Sequence, residues 1–279
     1  MLCAPAKLNL CLYVGSRRDD GLHELRSLFC PLALADRLVI SDAGAERDRV
    51  VCPEIEGRNL VASALEALRE RGWERPPVQV AIEKRIPVAA GLGGGSADAA
   101  AVLRHLAGER DDLAEIAAGL GADVPSQLEP RFALVSGAGE RVEVMPRPGE
   151  FAVVLIPLEP GLSAAEVYSE ADRLGLGRGA AELEEIGDRL RGAAAGAGSP
   201  LEYAELFVND LQQAALSLRP AIAEVLSALE QAGARVALVT GSGPTAFGLF
   251  EDLAGADRAA ASLPPRFADA IVSAPQSYL

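Results

Sequence analysis

PVAAGLGGGSADAAAVLRHL, Pro87 to Leu106, sets four glycines in the five positions from Gly91 to Gly95 and then turns to alanine and leucine. Glycines at that density leave backbone amides uncovered. The Ala/Leu run after them reads as a helix with Ser96 as its N-cap. A helix start carries unpaired N–H groups and the positive end of the dipole, so the guest such a loop suits is a phosphate. The residues are not those of the common nucleotide loop, because Gly95, Ser96 and Ala97 stand where GK[ST] would close a P-loop. A dinucleotide fingerprint fails too, since Ser96 occupies the place of its third Gly or Ala and no acidic partner is evident. A plain strand-to-helix turn is the alternative, although four glycines exceed what a turn needs.

The 279 residues suffice for one large or two ordinary domains. Hydrophobic residues make up 49% and charged residues 24%, the profile of a soluble globular protein. A formal net charge of −14 argues against a nucleic-acid partner, so phosphate binding has to be local. Cys3, Cys11, Cys30 and Cys52 form no CxxC pair, and the chain has only two histidines, so neither a side-chain metal site nor a disulfide framework is expected. No apolar run reaches the ~18 residues of a membrane helix. These features predict a cytoplasmic protein with no membrane partner.

Around the loop, Ala4 to Val14 alternates, with Ala6, Leu8, Leu10, Leu12 and Val14 on one side and Lys7, Asn9, Cys11 and Tyr13 on the other, which predicts a strand with one buried face. SLFCPLALADRLVISD reads as one or two strands, Asn59 to Glu70 as a helix and VQVAIEK as a strand. Helices are expected near Asp111 to Ala118 and in GADVPSQL, and a hairpin in FALVSG and ERVEVMP. PRPGE, near Arg147 to Glu150, marks a domain break and divides the chain into 1–148 and 149–279. Beyond it come the strand FAVVLIP, a helix near Ser163 to Leu174 and a Gly/Ala-rich stretch read partly as loop. AIAEVLSALEQAGA then predicts a helix, ARVALVT and TAFGLF two strands around the turn GSGP, and a helix and the strand ADAIVSAP the close. Without a regular βα period, the fold class is α+β in two domains.

Several polar residues admit two readings. Lys7 and Asn9 in mid-strand read, taken alone, as the solvated side of a sheet. Asp123, before a helix with proline nearby, reads as an N-cap, and Asp98 similarly as a first-turn acid. Gly241, Ser242 and Gly243 fit G-x-G-x-x-A with Ala246, a dinucleotide pattern, but the strand-like TAFGLF that follows favours a β-turn, either a plain one or one whose amides face a ligand. His105 reads as a surface or half-buried residue and not as a ligand. His23 follows a turn and has a ring free to read a polar partner.

Taken together, these segments resemble the GHMP family of small-molecule kinases. PVAAGLGGGSADAAA carries the resemblance, and APAKLNLCLYVGSRRDDGLHEL, GADVPSQL, FVNDLQQAALSLRPAI and LVTGSGPTAFGLF extend it from residue 4 to about residue 250. The resemblance implies a two-domain fold: an N-terminal domain like domain 2 of ribosomal protein S5, a ferredoxin-like C-terminal domain, and the active site between them. It places the ATP loop on Pro87, Val88, Ala89, Ala90, Gly91, Leu92, Gly93, Gly94, Gly95, Ser96 and Ala97, and the catalytic pair on Lys7 and Asp123. In that pair the aspartate accepts the proton of an alcohol substrate, while the ammonium favours the ionised carboxylate and the developing alkoxide. Mg²⁺ is implied, carried by ATP. In the branch resembled most, the substrate is a cytidine diphosphate sugar alcohol, which implies substrate contacts at Asn9, His23, Tyr168, Gly241, Ser242 and Gly243. That branch usually has an aromatic before the histidine where this chain has Leu22. Homoserine or mevalonate kinase activity, and a nucleotide-binding module without catalysis, are the alternatives. A monomer or weak homodimer is expected.

Overall fold

The segment from His23 to Asp42 is one strand of 20 residues, and most of the N-terminal half is built on it. The computed structural model describes residues 1–55, 57, 59–108 and 110–277. Along one side of this strand, β3, lie β1 (Leu2–Asn9) and β2 (Tyr13–Arg17), both antiparallel to it. Along the other lie β5 (Val78–Glu83) and β6 (Ala133–Gly137). β4 (Arg49–Val51) joins β5 in parallel, and β7 (Arg141–Val144) pairs with β6 as the expected hairpin. Helices α1 (Leu60–Glu70), α2 (Gly94–Leu106), α3 (Leu113–Leu120) and α4 (Val124–Leu128) complete this half.

A second, antiparallel sheet has the order β11-β8-β10-β9, formed by β8 (Ala152–Ile156), β9 (Val236–Val239), β10 (Ala246–Phe250) and β11 (Ile271–Ser273). That order, with helices in the two crossovers, is the ferredoxin-like arrangement. Its helices are α5 (Ala164–Leu174), α6 (Ala180–Ala194), α7 (Gln212–Leu218), α8 (Ile222–Gln231) and α9 (Leu253–Ser262). No helix among the described residues is long and apolar enough to cross a membrane.

Two expectations for the opening segment are overturned. The run from Ala4 to Val14 is not one strand. It breaks after Asn9, and Leu12 bonds instead to the C-terminal half, its N–H to Val208 and its carbonyl to the Asp210 N–H. Nor is one face solvated: Lys7 and Asn9 are buried along with the leucines. The strand lies between two layers of protein, so its polar face is covered too.

The Gly/Ala-rich stretch contains the 15-residue helix α6. Leu183, Ile186, Leu190 and Ala194, spaced by three, four and four residues, bury one stripe of it in the core between the two sheets. Gly187 weakens the sequence signal, and it has a packing reason, because a β-carbon there would lie 3.1 Å from the Arg26 guanidinium. The core under α6 is shared between the halves, with Ala6 and Leu8 of β1 in one buried cluster with Val153 and Leu155 of β8 and Phe247 of β10. Leu190→Ala is therefore expected to cost about 2–5 kcal/mol in urea unfolding, as for other buried leucines, while leaving substrate KM values unchanged.

Candidate active site

Helix α2 begins one residue after Gly93, whose φ of +67° puts it in the left-handed region that suits glycine. Gly93, not Ser96, is the N-cap, and Ser96 lies inside the first turn. The first helical hydrogen bond runs from the Ala97 N–H to the Gly93 carbonyl (2.9 Å). The N–H groups of Gly94, Gly95 and Ser96 thus precede any intrahelical acceptor. Pro87 to Ser96 line one cavity of about 270 Å³ together with Ile55, Leu60 and Lys84. Ala97, the eleventh loop residue named from the sequence, is fully buried beneath it.

Strand β1 runs directly against this loop, its Lys7 N–H donating to the Leu92 carbonyl (2.9 Å). The Lys7 side chain turns into the junction between the halves, where its ammonium lies 3.3 Å from Asp123 Oδ2 and donates to Asn9 Oδ1 (2.5 Å). Lys7 is 5% exposed, whereas the Asp123 side chain keeps 31% of its surface open. Asp123 occupies the N-cap position of α4 but makes no capping hydrogen bond, so its carboxylate is directed to Lys7 instead of its own helix. Both ends of the Asn9 carboxamide are engaged, Oδ1 by Lys7 and Nδ2 by Ser27 Oγ (2.8 Å). The two readings that treated Lys7 and Asn9 as surface residues and Asp123 as a cap are therefore corrected.

The second glycine turn closes on the same point from the other half. A β-carbon on Gly91 would lie 3.0 Å from the carbonyl oxygens of Thr240 and Gly243. One on Gly241 would lie 3.2 Å from Asn9 Oδ1 and 3.5 Å from Lys7 Nζ. This turn joins β9 to β10, as the sequence predicted, and no helix follows it, which removes the dinucleotide reading. Buried polar side chains, Asn209 and Thr240, hold it in place. Asn209 Nδ2 donates to the carbonyls of Val239 (2.6 Å) and Gly241 (2.9 Å), and Thr240 Oγ1 accepts the Asn9 N–H (3.0 Å). Ser242, between the two turn glycines, is half-buried.

A second cavity, about 410 Å³, is lined in part by Ala122, the residue before Asp123. His23 and Tyr168 meet there with ring centroids 5.0 Å apart and planes tilted by 32°. Asp172, one helical turn after Tyr168 on α5, lies with Oδ1 2.8 Å from His23 Nε2. Its spacing of four residues from Tyr168, on one face of α5, is the sequence signal for it. Burial, and then the charge of Asp123, push the Tyr168 phenol well above its usual range, so it remains a neutral donor. Leu22 lines this cavity and is 52% exposed. His105 is an exposed residue of α2. Of the four cysteines none is paired.

Two protein-family descriptions match this chain: GHMP kinases N terminal domain over residues 59–129 and GHMP kinases C terminal over 184–269. They make it a two-domain, ATP-dependent small-molecule kinase. A protein of Anaeromyxobacter sp. called 4-diphosphocytidyl-2-C-methyl-D-erythritol kinase is 42% identical over 279 residues, covering 95% of this chain and 87% of its own. A protein of that name from Streptomyces coelicolor is 41% identical, with 86% and 84% covered. A crystal structure titled 4-(cytidine 5'-diphospho)-2C-methyl-D-erythritol kinase superposes with a TM-score of 0.79 at 35% identity, covering 99% of each chain. The chain belongs to the GHMP kinase family. A homoserine kinase structure from Cytophaga hutchinsonii, 18% identical with a TM-score of 0.72 and coverages of 99% and 93%, shares the fold.

The close approach at Gly93 gives a direct test. A β-carbon there would lie 2.8 Å from Lys7 Cγ on a backbone with positive φ. Gly93→Ala is expected to lower kcat about 10²-fold or more through a misplaced ammonium, with the circular dichroism spectrum unchanged. Gly119→Ala, on α3 with open space around it, serves as the control and is expected to leave kcat unaltered.

Proposed function

We propose that this kinase transfers the γ-phosphoryl group of ATP to the 2-hydroxyl of 4-diphosphocytidyl-2-C-methyl-D-erythritol, a step in the non-mevalonate route to isoprenoid precursors. The observation that carries the proposal is the Lys7–Asp123 ion pair, with Gly93 of the loop cavity packed against Lys7 and Ala122 of the His23–Tyr168 cavity next to Asp123 in the chain. The identity of the curated relatives supports the choice of substrate.

In this mechanism Asp123 accepts the hydroxyl proton of the substrate. The freed oxygen forms a bond to the γ-phosphorus, the bond from that phosphorus to the β,γ-bridging oxygen breaks, and its electron pair leaves with ADP. The Lys7 ammonium, 3.3 Å from the carboxylate, offsets charge on the alkoxide and the incoming phosphoryl oxygens. Asn9 acts on the substrate through Lys7, as a positioning residue. The amides at the start of α2 hold the triphosphate, with those of the Gly241–Gly243 turn facing it. No group of three or more His, Cys, Asp or Glu gathers as a metal cage among the described residues. Mg²⁺ brought in with ATP would be held by the phosphate oxygens at the start of α2 and would supply charge neutralisation during transfer. His23, oriented by Asp172, and Tyr168 take the cytosine, with Leu22 as an aliphatic edge in place of a second ring. The division between the two domains falls at residues 148 and 149, in the connection from β7 to β8.

Asp123→Asn is expected to reduce kcat by about 10²- to 10⁴-fold while ATP affinity stays within about threefold, as measured by steady-state kinetics and direct nucleotide binding. Unchanged turnover would remove Asp123 from the mechanism. Turnover should be found with the cytidine diphosphate substrate and not with homoserine or mevalonate. His23→Ala should raise KM for the cytidine substrate about tenfold and leave KM for ATP in place, a split that a global defect does not produce.

A further inference from the structure

Lys84 follows β5 three residues before Pro87, and its ammonium lies between two carboxylates. It donates to Asp36 Oδ2 on β3 and, at 2.9 Å, to Asp98 Oδ2 on α2. All three side chains are buried, at 6% exposure for Lys84, 0% for Asp36 and 1% for Asp98. Asp36 is fully engaged, because its other oxygen accepts the N–H groups of Arg85 (2.6 Å) and Ile86 (2.8 Å). Asp98 is not: its Oδ1 is buried without a hydrogen-bond partner.

One buried ammonium cannot neutralise two buried carboxylates, and an ionised oxygen with no donor is the costlier place for the surplus charge. Burial pushes the Asp98 carboxyl up to about 7, with Lys84 opposing and Asp36 adding to the effect. Burial alone would lower the Lys84 ammonium, but the two carboxylates outweigh it and raise it. Outside the cluster, Cys52 after β4 is near enough to feel both Lys84 and Asp98, with Glu54 beside it. Its thiol is pushed up by burial and then by Glu54, so it stays neutral. The helices packed on α2 contribute no buried charge: the buried residues are Val61, Ser63 and aliphatics on α1, Ile116 and Ala117 on α3, and Val124, Ser126 and Gln127 on α4. From β1, Lys7 touches Gly93 on the side of Asp123.

The cluster underlies the loop. Lys84 lines the loop cavity, and a β-carbon on Gly94, the first residue of α2, would lie 3.2 Å from its Nζ. Asp98 is four residues further on, one turn beneath Gly94 on the same helix face. Ionised Asp98 therefore opposes any polyanion seated at the start of α2.

We propose that Asp98 is a proton-coupled positioning residue of the nucleotide site, taking up one proton when the triphosphate docks at the start of α2. The proton comes from solvent and adds to the carboxylate, and no bond of the nucleotide changes. Docking favours the protonated carboxyl, so by linkage nucleotide affinity falls as pH rises through the titration of Asp98 in the free protein. This rests on the assignment of the loop as the nucleotide site.

The test is calorimetric titration of the full chain with a non-hydrolysable ATP analogue and saturating Mg²⁺. It is run in two buffers of different ionisation enthalpy, from about pH 6 to about pH 8.5 around the titration range, on the wild type and Asp98→Asn. Asparagine keeps the shape and the acceptor for Lys84 but cannot ionise. The wild type is expected to take up protons near neutrality and to lose about three- to tenfold in affinity across the range. Asp98→Asn should take up none and stay near the low-pH value of the wild type throughout. Equal pH slopes in the two proteins, or no proton uptake by the wild type, would overturn the proposal. The second readout needs no variant. Absence of binding at every pH would be a different failure, removing the nucleotide site itself along with the coupling.

Discussion

At the junction between the two halves, three glycines pack so closely that a β-carbon on any of them would crowd its neighbours. Gly91 approaches the carbonyls of Thr240 and Gly243, Gly241 lies against Asn9 and Lys7, and Gly93 lies against the Lys7 stem. These contacts bring two loops far apart in sequence to one ammonium. They hold because each loop is anchored elsewhere, the first by the β1 hydrogen bond to Leu92 and the second by the Asn209 carboxamide. A side chain at Gly91 would have to displace main-chain carbonyls, whereas one at Gly93 or Gly241 would press on the Lys7 and Asn9 side chains at the ion pair.

The same junction explains why charge tolerates burial here. Lys7 is buried, yet Asp123, Asn9 and the face of Phe29, 4.7 Å from its ammonium, surround it with partners. Asp123 keeps part of its surface open, which is the side from which a hydroxyl can approach. Beneath the loop, Asp36, Lys84 and Asp98 form a second buried cluster, in which Asp36 ties the start of the loop to the central strand and Lys84 ties it to helix α2. The cradle is thus held at its entrance and at its helix by charged groups, although its own lining is almost bare of side chains.

Local pattern made much of the fold legible. The helix capped by Asn59, the hairpin of β6 and β7, a helix opening at the glycine loop and the strands flanking GSGP all follow from periodicity and turn chemistry, although α2 starts at Gly94 and not after Ser96. Helix α6 was obscured because Gly187, packed under Arg26, and a run of alanines dilute its stripe. The break after Asn9 had no local signal, since the partner of Leu12 lies nearly 200 residues away. Of the site, the loop and the turn could be read from glycine density. Asp172 is marked by its spacing from Tyr168, whereas Asn209 lies in a segment of the family pattern but its hold on the turn depends on chain about 30 residues further on.

The sequence alone determined which segments could act: a glycine-rich helix start, a positive-φ turn between two strands, and a family pattern joining them to Lys7, Asp123 and His23. Those follow from local conformational preference and residue chemistry, which a short stretch of chain carries by itself. Whether Lys7 faces water or a carboxylate, whether Asp123 caps a helix or turns to an ammonium, and which oxygen of Asp98 is left without a donor were decided only by tertiary structure. The reason is physical: burial and pairing are properties of what packs on the other side, and here that other side comes from chain remote in sequence.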